Sequence, residues 1–248
     1  MNITDLNNPF GEAVYYKEET ESTMIDAASL KNTKHGSIVI TDFQSLGRGR
    51  GSERSWDSTK GKNLLFTVIL TPEKISHPLL RIPLICGLAL CEYLRETHNL
   101  DAVLKWPNDV LVDEKKIAGI LCEYRGGHFL LGMGINCEQK EFAAEISGKT
   151  TSLSLQGVSS CSPPEILEGF LMVLKKRLEN SEWKEDALSL LYKKDEEVSV
   201  CEGPPENETI TRLRIVDLSD DGFLIVRELP DGNLRQISAG EIRFTAFK

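Results

Sequence analysis

Apolar positions along the chain change their period several times, and each change marks an element. Ser22-Thr23 followed by Met24-Ile25-Asp26-Ala27-Ala28-Ser29-Leu30 reads as an N-cap and a short helix with one apolar face. Ile38-Val39-Ile40 is a β-branched run expected to form a buried strand, and Leu64–Leu70 a second strand closed by Thr71-Pro72. From Leu79 to Thr97 the apolar residues recur at helical spacing. Leu80, Leu84, Leu88, Cys91 and Leu94 form one stripe, with Pro83 near the first turn, where its missing N–H does least harm. Ala102–Trp106 and Val110–Val112 read as strands on either side of a Pro-Asn turn. Ile117–Tyr124 and Phe129–Ile135 read as a strand pair joined by Arg125-Gly126-Gly127-His128.

The texture then changes. Ser162-Pro163-Pro164-Glu165 is a helix start, followed by Ile166, Phe170, Leu174 and Leu178 at helical spacing, and Trp183–Tyr192 offers one more helix. From Val198 the chain reads as short strands and tight turns, with Asp220-Asp221-Gly222 and Pro230-Asp231-Gly232-Asn233 between runs such as Leu213–Val216 and Leu224–Val226. Two domains are expected, 1–195 and 196–248, the boundary lying in the charged stretch Lys193–Glu197.

Composition narrows the function classes. Lys and Arg total 29 against 38 Asp and Glu, a formal net charge of −9, the wrong sign for a broad nucleic-acid grip. No apolar run approaches the roughly 20 residues of a membrane helix, and Met1–Phe10 carries no basic-then-apolar targeting pattern. The cysteines (86, 91, 122, 137, 161 and 201) fall mostly in apolar stretches, with no C-x-x-C pair, as expected of buried reduced thiols in a cytoplasmic protein.

One segment breaks the acidic background. Ser45–Lys62 holds Arg48, Arg50, Arg54, Lys60 and Lys62 against only Glu53 and Asp57, so the rest of the chain carries −12. Glycines at 47, 49, 51 and 61 would let backbone N–H groups approach an anion while the guanidinium forks close on its oxygens. A solvated surface loop is the plainer alternative. In Lys105-Trp106-Pro107-Asn108-Asp109 an ammonium stands at a strand's end beside a flat apolar Trp106, suited to a phosphate oxygen; a turn with a solvated lysine is the competitor. Gly119, Gly132 and Gly134 sit inside two neighbouring strands, which suggests either a ligand lying flat across the sheet or glycine bulges.

These strings occur together in one family. Gly47-Arg48-Gly49-Arg50, Trp56, Gly61-Lys62-Asn63-Leu64, Lys105-Trp106-Pro107-Asn108-Asp109, Lys116-Ile117-Ala118-Gly119-Ile120-Leu121 and Gly132-Met133-Gly134-Ile135-Asn136 stand in the order found in biotin protein ligases, which the chain resembles over roughly residues 15–137. The resemblance implies an α/β (α+β) catalytic domain with a mixed sheet flanked by helices, plus a small all-β SH3-like C-terminal domain. It implies ATP and Mg²⁺ as co-reactants, the metal held mainly through phosphates. Biotin would be activated to biotinyl-5′-AMP and passed to a lysine of a biotin-carrier domain of a carboxylase.

The resemblance also assigns roles. Lys105, Arg48 and Arg50 become the catalytic residues. Biotin falls to Ser22, Thr23, Gln44, Gly47, Arg48, Gly49, Arg50, Trp56, Lys105, Gly119 and Gly134, and the nucleotide to Arg48, Arg50, Lys105, Asn108, Lys116 and Asn136. Glu241 and Arg243 resemble a C-terminal element that leans on the site. Two positions depart from the pattern: Met24 replaces the asparagine of S-T-N, and Gly51–Trp56 is one residue longer than the common spacing. A lipoate–protein ligase or octanoyltransferase, a biotin-sensing repressor and a biotin-binding pseudoenzyme are the rivals. With only 21 residues before Ser22, a short form without a DNA-binding head is expected; neither DNA nor membrane is an expected partner, and a homodimer is allowed.

Overall fold

The computed structural model describes residues 6–49, 55–159, 162–202, 209–229, 231–238 and 241–243. Within these residues the chain builds a seven-stranded and a five-stranded sheet. The first contains β1 (Val14–Thr20), β2 (Ser37–Gln44), β3 (Asn63–Leu70), β4 (Ala102–Lys105), β5 (Asp109–Val112), β6 (Lys115–Arg125) and β7 (His128–Asn136), in the order β1-β2-β3-β7-β6-β5-β4. Only β1 and β2 run parallel, joined by a crossover through α1 (Thr23–Ser29); the remaining neighbours are antiparallel.

Register divides the sheet into two faces. Leu64, Ile135, Ala118, Val110 and Leu104 stand opposite one another across five strands, each fully buried. This face packs under α2 (Ile82–His98) and α3 (Pro163–Glu179), with α4 (Lys184–Ser189) following. The helix α3 buries Ile166, Phe170, Leu174 and Leu178, the stripe read from its spacing. The helix α2 is buried nearly all round, because it lies between sheet and helix. Its predicted stripe fails at one end: Leu80 is 58% exposed, in a 3-10 turn (Leu79–Arg81) that precedes the helix. Cys86, Cys91 and Cys137 are buried. Burial pushes the Cys122 thiol up to about 12.

The strand β1 was not legible as a strand. Its sequence, VYYKEET, carries charges at the sheet's edge, where one flank and much of one face meet solvent. The second sheet runs β11 (Leu234–Ile237), β10 (Leu224–Glu228), β9 (Thr209–Leu218), β8 (Glu197–Glu202) and β12 (Glu241–Arg243), all antiparallel. Val198, Val200, Leu213, Ile215 and Val226 join it to the same apolar core as the first sheet.

Candidate active site

The face of the large sheet turned away from α2 and α3 carries a second transverse row. Lys105 stands opposite Asp109, Asp109 opposite Gly119, Gly119 opposite Gly134, and Gly134 opposite Leu65. Period-two alternation also puts Leu121, Glu123 and Arg125 on this face with Gly119. The start of α1 and the segment after β2 close over it, leaving a cleft of about 950 Å³ including its open mouth.

At one wall is a polar corner. The Thr23 backbone N–H and hydroxyl both donate to Gln44 Oε1, at 2.8 and 3.1 Å, and the Thr67 hydroxyl donates to Thr23 Oγ1 at 2.8 Å. Ser22 occupies the N-cap position, yet its hydroxyl makes no capping bond; its carbonyl accepts from Asp26 N–H instead. That side chain therefore faces the cleft rather than serving the helix.

The floor is where the glycines act. A Cβ on Gly134 would stand 2.6 Å from Trp56 Cζ2, and one on Gly119 would stand 2.8 Å from Trp56 Cζ3. A Cβ on Gly132 would meet Met24 Sδ at 2.7 Å. The glycines are thus flat so that the chain's own Trp56 and Met24 can lie on the sheet. The surface offered to the cleft there is an indole and a thioether rather than bare glycine. The Trp56 Nε1 is buried with no hydrogen-bond partner among the described residues. Its loop is pinned below by Trp56 N–H donating to Gly47 O at 2.9 Å and by the Arg48–Ser55 bridge.

Charge enters from Lys116. Its ammonium lies 2.7 Å from Asp109 Oδ1 and 5.5 Å from the centre of the Trp56 ring. The Lys116 backbone is fixed by the returning segment: its N–H donates to Lys149 O, and its carbonyl accepts from Thr151 N–H. Asn136, almost fully buried, holds that segment by donating from Nδ2 to Thr151 O at 2.9 Å. Asn108 donates to Ile120 O at 2.7 Å and so clamps the turn onto β6.

Of the residues singled out from sequence, Ser22, Thr23, Gln44, Arg48, Gly49, Trp56, Asn108, Lys116, Gly119 and Gly134 line the cleft together. Gly47 lies under Trp56, Lys105 shares the row at its far end, and Asn136 stands behind Lys116 rather than in the cleft. Arg50 lies outside the described residues. Three readings change. Trp106 is no wall of the cleft: it is 2% exposed and points into the core. The basic segment is also less cationic toward the cleft than its composition suggests. Lys60 pairs with Glu18 and Glu19 at 2.7 and 2.6 Å, and Lys62 with Glu138 at 2.8 Å. Finally, Met24, Asp109, Leu121, Glu123 and Arg125 line the cleft though none was assigned a ligand role. The strand alternation of β6 was the signal for the last three.

Comparison with known proteins decides the lineage. The sequence pattern of the Biotin/lipoate A/B protein ligase family matches residues 14–139. The chain belongs to that family. The pattern of the Biotin protein ligase C terminal domain matches residues 195–244. Among curated relatives, the bifunctional ligase/repressor BirA of Bacillus subtilis is 30% identical over 176 residues, covering 67% of this chain and 54% of that protein. The biotin–[acetyl-CoA-carboxylase] ligase of Paracoccus denitrificans is 32% identical over 160 residues, covering 60% of this chain and 66% of that one. The chain thus spans about half the length of the first curated relatives it matches. Among solved structures, the biotin protein ligase of Aquifex aeolicus in complex with biotin and ATP superposes with TM-score 0.80 at 29% identity. It covers 93% of this chain and 97% of its own. The Leishmania major enzyme in complex with biotinyl-5-AMP gives TM-score 0.67 at 28% identity, covering 92% and 99%. The mixed sheet with flanking helices and the separate antiparallel C-terminal sheet are the architecture of biotin protein ligases.

Proposed function

We propose that this member of the family is a biotin–protein ligase. In the first step a biotin carboxylate oxygen attacks the α-phosphorus of ATP. The Pα–O bond to the β-phosphate breaks, and pyrophosphate leaves with those electrons. In the second step the ε-amine of a carrier-domain lysine attacks the acyl carbon, AMP leaves with the C–O bonding pair, and the amine gives up a proton. The observation that carries the reading is the likeness, over nearly the whole chain, to a ligase holding biotin and ATP, with Arg48 and Lys116 lining the cleft of an otherwise acidic protein.

In this reading the polar corner of Ser22, Thr23 and Gln44 and the Trp56–Met24 floor receive biotin. Arg48, Arg50, Lys105 and Lys116 receive the nucleotide phosphates, Asn108 and Asn136 acting through the backbone they hold. Bringing a carboxylate to a polyphosphate is opposed by like charge, so these cations lower the barrier by neutralising it in line. Mg²⁺ would neutralise the transferring phosphates further. The two carboxylates that line the cleft among the described residues, Asp109 and Glu123, are each paired with a cation, Lys116 and Arg125, which suits an ion held mainly by phosphate oxygens and water. The chain divides at about 195/196, works in the cytoplasm with its thiols reduced, and serves a carboxylase's carrier domain rather than DNA.

The test is incubation with MgATP, biotin and a purified carrier domain, read by mass spectrometry. A biotin-sized gain on one carrier lysine is expected. A gain only when lipoate or octanoate replaces biotin would transfer the chain to the other branch of the family.

A further inference from the structure

Lys105 is the last residue of β4, an edge strand of the large sheet, yet that edge is not open. Leu104 N–H donates to Leu190 O at 2.8 Å, and Tyr192 N–H donates to Leu104 O at 2.9 Å, both from the segment that leads into the C-terminal sheet. On the other side of Lys105, Trp106 drives its indole into the core and donates Nε1–H to Gly222 O at 3.0 Å. Gly222 sits in the turn between β9 and β10 with φ +86°, and a Cβ there would lie 2.9 Å from Leu84 Cδ1. The turn is therefore wedged between α2 and the indole. From its exposed side Arg81 donates to Asp220 O.

Leu104 and Trp106 thus anchor both neighbours of Lys105 to parts of the chain at or leading into the C-terminal sheet. Fixing those two residues fixes the direction in which the Lys105 Cα–Cβ bond leaves the strand. We propose that the Gly222 turn is a strut that acts through Trp106 to aim Lys105 at the reacting phosphate. Trp106 is then a positioning residue, not a ligand contact. This rests on the reading of Lys105 as a phosphate-binding lysine. Orientation of a charged group tolerates little error, since a displacement of about 1 Å can cost about 10²-fold in rate.

The experiment uses the full chain and biotin-dependent ATP–pyrophosphate exchange. Trp106→Phe keeps the apolar bulk and removes the N–H donor. It is expected to lower kcat about tenfold while leaving the biotin dissociation constant unchanged. In a Lys105→Ala background the same substitution should cause no further loss, because the strut then has nothing to aim. Arg81→Gln loosens the same turn from outside the core, and a smaller fall in kcat of the same kind is expected; it decides the matter alone if Trp106→Phe does not fold. Undiminished kcat in the folded variants, or losses that multiply with Lys105→Ala, overturn the strut. A wild-type chain without biotin-dependent exchange overturns the underlying reading, and the strut with it.

Discussion

Trp56 rests on Gly134 so closely that a methyl group at that glycine would stand 2.8 Å from its Nε1. Neither partner can yield cheaply. The indole is rigid, and Gly134 is paired on both flanks, to Leu65 and Gly119. Gly134→Ala is therefore expected to expel Trp56 from the floor while β7 stays intact, since the added methyl points into the cleft and not the core. Biotin affinity should fall at least about tenfold, roughly 1.4 kcal/mol, with a change in tryptophan emission. Equilibrium titration of the folded variant measures it, and wild-type affinity would show that Trp56 is not part of the binding floor.

Met24 lies on Gly132 and packs beside Ala27, Val39, Ile69 and Leu130. On the proposed function its apolar contact would serve bound biotin equally in ground and transition states. Met24→Ala should raise KM for biotin several-fold and leave kcat alone, the pattern of lost uniform binding. The fold should lose about 1 kcal/mol, less than a fully buried methionine would cost. A fall in kcat with unchanged KM would place Met24 in the chemistry instead.

Lys105 and Lys116 should fail differently. Lys116 is held 2.7 Å from Asp109, with its side chain 34% exposed, so the pair adds little to stability. On the proposed function its ammonium exchanges Asp109 for an ATP phosphate before reaction begins. Lys116→Ala is expected to raise KM for ATP with modest change in kcat. Lys105→Ala, which on the proposed function removes a cation from where negative charge grows in the transition state, should cost about 10²–10³ in kcat. Steady-state exchange kinetics on both variants separate the roles, and identical signatures would refute the division.

Much of this arrangement was legible in the chain because local rules agreed with the fold. β-branched runs became β2 and β3, and the 3.6-residue recurrence of Ile166, Phe170, Leu174 and Leu178 became the buried stripe of α3. What was illegible depended on partners distant in sequence. Nothing local in VYYKEET says that β2 will pair with it. Nothing near Trp106 says that Gly222, 116 residues on, will accept its N–H. The glycines of β6 and β7 read as a bed for a flat ligand or as bulges. What approaches them is Trp56 and Met24, and only tertiary structure could name those side chains. The charge of the 45–62 segment misled for the same reason, since Glu18, Glu19 and Glu138 come from elsewhere to meet Lys60 and Lys62.

His77 gives the fold an acid-sensitive point remote from the cleft. It is 3% exposed, Nε2–H donates to Arg177 O at 3.0 Å, and Nδ1 accepts from Arg81 Nη1 at 3.3 Å. Both ring nitrogens are satisfied in the neutral form. A second proton would sit on Nδ1 facing a guanidinium, inside a buried site. Burial first, and the Arg81 charge with it, hold the imidazole below its ordinary 6.5. The unfolded chain therefore binds the proton first. The stability carried by neutral His77 is complete above about pH 6.5 and is lost as pH falls toward the lower folded value. The His35 and His98 imidazoles are lowered by burial in the same direction and add to the slope. Thermal melts between pH 5 and 8 should show Tm falling on the acid side. His77→Gln, whose amide can still donate to Arg177 O, should lower Tm at neutral pH and flatten the acid limb. An acid limb as steep in that variant as in the wild type would remove His77 from the account.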